Sequence, residues 1–231
     1  MNITIINDQT NMSFETYQKV FENIASTDCE ERRFQNELIL VFLRASLTNI
    51  DVMETGEARR PSQNHDLSQY CGEVEYENGE KKFWRPDLTA CDKWYRHNLT
   101  HKVEYKFVVE VKSPYSREKI FDNGLSPDEI LKEESRVKRE IESHFNARNN
   151  NKVILTDGIR WVFYKKENNK IISCADIALK EKTSNGWEWV QFVSKQLPDN
   201  EFFNEIGIDN FCMVEPQVFV DLKEKLMEFA E

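Results

Sequence analysis

The stretch Phe107-Val108-Val109-Glu110-Val111-Lys112-Ser113-Pro114 reads as an apolar strand that ends in two charges. Side chains alternate faces along a strand, so Glu110 and Lys112 point the same way, while Val103, Tyr105, Phe107, Val109 and Val111 take the opposite face. Upstream, Trp84-Arg85-Pro86-Asp87-Leu88-Thr89-Ala90 sorts likewise, with Trp84, Pro86, Leu88 and Ala90 on one face and Arg85, Asp87 and Thr89 on the other. Strands are predicted at about 83–90 and 103–112. Two neighbouring strands with apolar backs place Asp87, Glu110 and Lys112 on one shared polar face.

Outward from these strands, Ser13 is placed to cap a helix whose apolar positions are Phe14, Tyr17, Val20, Phe21 and Ile24. The capping-box pattern Thr27-x-x-Glu30 predicts a second helix, with a stripe of Phe34, Leu38, Val41, Phe42 and Ala45. Residues 55–82 are polar and Gly-punctuated, the signature of a long loop or a small inserted hairpin. After Lys112, Ser126-Pro127-Asp128-Glu129 opens a helix that Ile130, Val137, Ile141 and Phe145 carry to the Asn149-Asn150-Asn151 break. Two strands joined at Asp157-Gly158 follow, then a strand over Ile171–Leu179 and a final helix from about Glu215. The expectation is one α/β domain over 1–231, with a core of about 27–180 and an acidic C-terminal extension of about 181–231.

Hydrophobic content of 39% with 12% aromatics suits a folded chain. The N-terminus shows no signal-peptide pattern, and no apolar run is long enough to span a bilayer. Five cysteines without paired spacing fit reduced thiols, so a cytoplasmic or other intracellular location is expected. The net charge of −10 is a poor footprint for nucleic acid, but it is uneven: −6 over 1–111, +3 over 112–170 and −7 thereafter. The basic surplus lies just after the Glu-x-Lys tripeptide.

Arg85-Pro86-Asp87, Glu110-Val111-Lys112-Ser113-Pro114 and Leu155-Thr156-Asp157-Gly158-Ile159-Arg160-Trp161-Val162-Phe163-Tyr164 occur in an order that resembles the PD-(D/E)xK nuclease superfamily. The nearer likeness is to the N-terminal nuclease domain of type I and type III restriction-enzyme motor subunits, over about residues 27–165. The resemblance implies a restriction-endonuclease-like αβββαβ core, a mixed central sheet flanked by helices, with a C-terminal elaboration. It also implies a metal-dependent endonuclease acting on DNA, in restriction or other defence against foreign nucleic acid. Two departures stand out: the helix after Glu-x-Lys lacks the Gln-x-x-x-Tyr of many relatives, and no Walker-type phosphate loop is present.

Phosphodiester hydrolysis needs an acidified water and relief of charge on the phosphate, both supplied by Mg²⁺ or Mn²⁺ on oxygen ligands. Asp87 and Glu110 would give carboxylates and Val111 a backbone carbonyl, with Lys112 serving either as an ammonium or in proton transfer. The resemblance adds Glu37 as a metal ligand from the first helix of the core; the other reading is an edge glutamate reaching solvent. Arg136, Lys138 and Arg139 are candidates for phosphate contact, or clothe a helix exterior. Cys91, His97 and His101 fit loop residues better than a zinc site, and Trp94 and Tyr95 are open to base stacking or a local apolar patch. Rival readings are an RNA endonuclease of the same fold and a catalytically silent module that binds a partner protein. A homodimer would suit cleavage of two strands.

Overall fold

The computed structural model describes residues 12–55, 71–75, 79–92, 104–133, 135–196 and 211–231. His97, His101, Trp94 and Tyr95 lie outside the described residues. Helix α1 (Phe14–Thr27) is capped by Ser13, whose hydroxyl accepts from Thr16 N–H, and it buries Phe14, Tyr17, Phe21 and Ile24. Thr27 does not cap the next helix. Its hydroxyl donates to the Asn23 carbonyl within α1 at 2.7 Å, and Glu30 precedes α2 (Glu31–Arg33).

From α2 the chain runs through a π-helical stretch, Phe34–Ile39, into α3 (Leu40–Ser46). A π turn bonds i→i+5 and so spends an extra residue per turn. The apolar stripe therefore drifts: Gln35, Ile39 and Leu43 join Phe34 and Leu38 in burial, while Val41, expected inside, is 44% exposed.

Six strands form the central sheet in the order β1-β4-β5-β6-β7-β8, where β1 is Asp51–Glu54, β4 Leu88–Asp92, β5 Glu104–Val111, β6 Lys152–Thr156, β7 Arg160–Glu167 and β8 Lys170–Ala178. Only the β5–β6 pair in this sheet is parallel. The segment read as one strand over 83–90 is two. Strand β3 (Lys81–Trp84) pairs with β2 (Gly72–Glu75) in a separate hairpin, and β4 starts beyond Pro86, which has no N–H to donate to a ladder.

The alternation expected for β5 sorts its side chains into two cores. Phe107, Val109 and Val111 join the larger one with α1, the π-helical stretch, α3 and α6 (Gln217–Ala230). Val108 faces the smaller core, with Ile130 of α4 (Pro127–Ile130) and Val137 and Ile141 of α5 (Arg136–His144). Ser126 caps the helix as expected and forms a capping box with Glu129, but the helix does not continue: Ser135 caps α5 separately through Lys138 N–H. The small hairpin presses on α5 at Gly72, where a Cβ would come 1.5 Å from the Ser143 carbonyl oxygen. Beyond β8 lie two antiparallel strand pairs, β9 (Lys180–Thr183) with β10 (Gly186–Trp189) and β11 (Val193–Gln196) with β12 (Phe211–Val214). No described helix is long and apolar enough to cross a membrane.

Asp157, between β6 and β7, does more than turn the chain. Its Oδ1 accepts from Ile159 and Arg160 N–H at 3.1 and 2.9 Å, and its Oδ2 from Ile120 and Phe121 N–H at 3.2 and 2.6 Å. One carboxylate thus pins the loop after β5 to the β6–β7 turn. Removing it leaves four N–H groups to find new partners, each unmet buried donor costing roughly 1–3 kcal/mol. Asp157→Ala is expected to lower the urea-unfolding free energy by about 3 kcal/mol or more; a loss under about 1 kcal/mol would contradict this account.

Candidate active site

Asp87 stands at the head of β4, where the register Leu88↔Val109 carries it to the level of Glu110 on β5. Its backbone carbonyl accepts from Thr55 N–H at 3.0 Å and from the Gln35 side-chain amide at 3.4 Å. Its Oδ2 accepts from Val111 N–H at 2.7 Å. Backbone and side chain are therefore both tied to neighbouring elements. At the far end of β5, Lys112 N–H donates to the Thr156 carbonyl at 2.8 Å, and the Ser113 hydroxyl donates to the Cys29 carbonyl at 2.8 Å.

Glu110 and Lys112 do point the same way, and Lys112 Nζ meets Glu110 Oε1 at 2.7 Å. Helix α5 closes over them. Glu140 Oε2 lies 2.6 Å from Lys112 Nζ in an ion-pair contact, and Arg136 Nε donates to Glu140 Oε1 at 2.7 Å. His144 Nε2 lies 2.8 Å from Glu110 Oε2, so both oxygens of Glu110 are engaged. A cavity of about 190 Å³ opens onto Asp87, Glu110, Lys112, Glu140 and His144, with Glu31, Trp84, Arg85 and Arg136 completing its lining.

Lys112 is only 1% exposed. Burial alone would push its pKa down, but Glu110 and then Glu140 outweigh it and hold the lysine charged, well above its ordinary value. Burial likewise raises Glu110, yet the His144 hydrogen bond and the Lys112 charge bring it to about 2. Asp87 goes the other way: burial, then the neighbouring Glu110, push it well above the usual carboxylate range against the Val111 N–H. Glu31 and Glu140 are raised too, each first by burial. The pocket thus holds one carboxylate already neutralised by its partners and several that would gain from a further cation.

Glu37 does not face this cavity. It pairs with Arg33 at 2.8 Å on the outside of the helix, its side chain 48% exposed. The wide π turn carries a residue three on from Phe34 further from the buried face than an α-turn does. Glu31, on the preceding turn, lines the cavity instead. The Val111 side chain lies in the larger core, and its N–H serves Asp87. Of the three basic candidates on α5, Arg136 lines the cavity, whereas Lys138 is half-buried and Arg139 exposed away from it. Glu140 and His144 were missed, although their signal is present: Arg136, Glu140 and His144 recur at i, i+4 beside the apolar stripe of Val137 and Ile141.

Among the described residues, no group of three or more His, Cys, Asp or Glu side chains is arranged to hold a metal ion. Lys112 stands between Glu110 and Glu140 and separates them. The two carboxylates Asp87 and Glu110 remain side by side, and Mg²⁺ is commonly held by one or two carboxylates with water and substrate phosphates as its other ligands. Burial and the neighbouring Glu110 both disfavour the charge on Asp87, and a cation held beside it would favour that charge. Comparisons with protein-family models, curated proteins and solved structures gave no match.

A carboxyl whose folded pKa lies above its unfolded one weakens the fold once pH rises past the unfolded value. Asp87→Asn keeps an acceptor for Val111 N–H and removes that penalty. In EDTA the variant is expected to be about 1 kcal/mol more stable than the parent at pH 8, with the difference shrinking towards pH 4, as read by urea unfolding. A variant less stable than the parent at pH 8 would contradict this reading of Asp87.

Proposed function

We propose that this chain is a divalent-metal-dependent endonuclease with a restriction-endonuclease-like core, hydrolysing phosphodiester bonds in DNA, in restriction or other defence against foreign nucleic acid. One observation carries the reading: Asp87 and Glu110 lie together at a cavity into which a buried, charged lysine projects. When bound, Mg²⁺ or Mn²⁺ would supply a more acidic water and neutralise charge on the phosphate. Asp87 and Glu110 would hold it, Asp87 losing its proton on binding.

The raised Lys112 supports the ammonium role over that of a proton acceptor. An ammonium has three donors. One is donated to Glu110, Glu140 lies beside the ammonium as an ion pair, and a remaining N–H would meet an oxygen of the scissile phosphate or the attacking water. Arg85 and Arg136, which also line the cavity, have the charge to draw the flanking phosphates inward. The choice of DNA rests on the sequence resemblance. The net charge of −10 favours a second reading, a nuclease-fold module that binds a partner protein without cutting.

The purified chain and Lys112→Ala, with folding checked by circular dichroism, are incubated with duplex DNA, single-stranded DNA and RNA in Mg²⁺, Mn²⁺ or EDTA. Metal-dependent cleavage of DNA that falls at least about 100-fold in the variant is expected, in line with loss of a charge-stabilising group. Cleavage of RNA alone would reassign the substrate. A parent that cuts nothing and gives no heat with Mn²⁺ would leave the partner-binding module.

A further inference from the structure

We infer that His144 is a positioning residue of this site, fixing the carboxylate of Glu110 from α5 as Glu140 fixes the ammonium of Lys112; the inference rests on the nuclease reading above. A carboxylate on a strand end can swing about its side-chain torsions unless both oxygens are held. Here Lys112 takes Oε1 at 2.7 Å and His144 takes Oε2 at 2.8 Å, so the lone pairs left on Glu110 keep one direction.

The histidine ring is buried, 1% exposed, and among the described residues its Nδ1 has no hydrogen-bond partner. An N–H at Nε2 faces the Glu110 carboxylate, which can only accept, so the ring is the donor in this contact. The hydrogen bond seen for the ring is therefore spent on that carboxylate.

A purely structural purpose accounts poorly for this arrangement. Helix α5 is already docked on the sheet by Val137 and Ile141, with Phe145 just beyond its end. Apolar side chains in place of a buried chain running from His144 through Glu110 and Lys112 to Glu140 would avoid its desolvation cost. The spacing is also economical. Glu140 and His144 sit one helical turn apart, and Glu110 and Lys112 two residues apart at the end of β5 and just beyond it, so each α5 residue meets one member of the pair.

Two substitutions of matched size isolate the donor. His144→Gln keeps a side-chain N–H of similar reach, while His144→Met fills the space without one. The readouts are the Mn²⁺ dissociation constant by calorimetry, the metal dependence of DNA cleavage, and the melting temperature in EDTA. His144→Met is expected to weaken Mn²⁺ binding roughly 10–100-fold, the range typical of residues that orient metal ligands. Cleavage should recover in part at high Mn²⁺, and His144→Gln should bind within a few-fold of the parent. If Met and Gln variants bind Mn²⁺ and cleave as the parent does, or lose both equally, the positioning role is wrong while the nuclease reading stands. If the parent neither binds Mn²⁺ nor cleaves, the nuclease reading fails and this inference falls with it.

Discussion

A lysine ammonium taken almost wholly out of water is the constraint around which this structure is organised. Lys112 is 1% exposed, and an unpaired charge in such a place would lose its proton or open the fold. It is stabilised by Glu110 from its own strand and Glu140 from α5, with Glu118 at 3.9 Å from the loop that follows β5. Each partner is held in turn: Glu110 by His144, Glu140 by Arg136, and the loop by Asp157. The charge thus dictates where a helix, a strand end and a loop must lie relative to each other.

The two cores make that placement possible. Strand β5 divides its side chains between them, with Val109 and Val111 packed against the large aromatic cluster and Val108 against the underside of α5. Glu110 and Lys112 fall on the α5 side, where the smaller core ends and the cavity begins. Asp87 arrives from the next strand because Pro86 ends the hairpin run, and because Thr55 and Gln35 hold its carbonyl. A rigid double-sided sheet therefore sets carboxylates side by side: Lys112 and His144 relieve Glu110, whereas burial and the neighbouring Glu110 leave Asp87 raised. Such unrelieved repulsion in a pocket is characteristic of a site whose charge balance is completed by something that binds.

Much of this was legible in the chain. The period-two pattern of β5 determined which residues would be apolar-facing, and hence that Glu110 and Lys112 would share a face, because alternation is a local property of extended backbone. The Ser13 and Ser126 caps were readable for the same reason, since a cap is a hydrogen bond between residues three apart. Val41 was misread, and Glu37 took the solvent-facing one of its two readings, because the π-helical stretch from Phe34 to Ile39 shifts the stripe, and nothing in the apolar spacing announces it. Thr27 failed as a cap because its hydroxyl bonds back to Asn23.

By itself, then, the sequence determined the strand carrying the acid–lysine pair, its inward face and the acidic residue that would join it. Tertiary structure decided the rest of the site: that α5 is a separate helix capped by Ser135, that it lies over β5, and that Glu140 and His144 therefore meet Lys112 and Glu110. The physical reason is the range of the interactions. Alternation and capping act within a few residues, whereas the partner of a buried charge is chosen by which surfaces two hydrophobic cores bring together, across some thirty positions of chain.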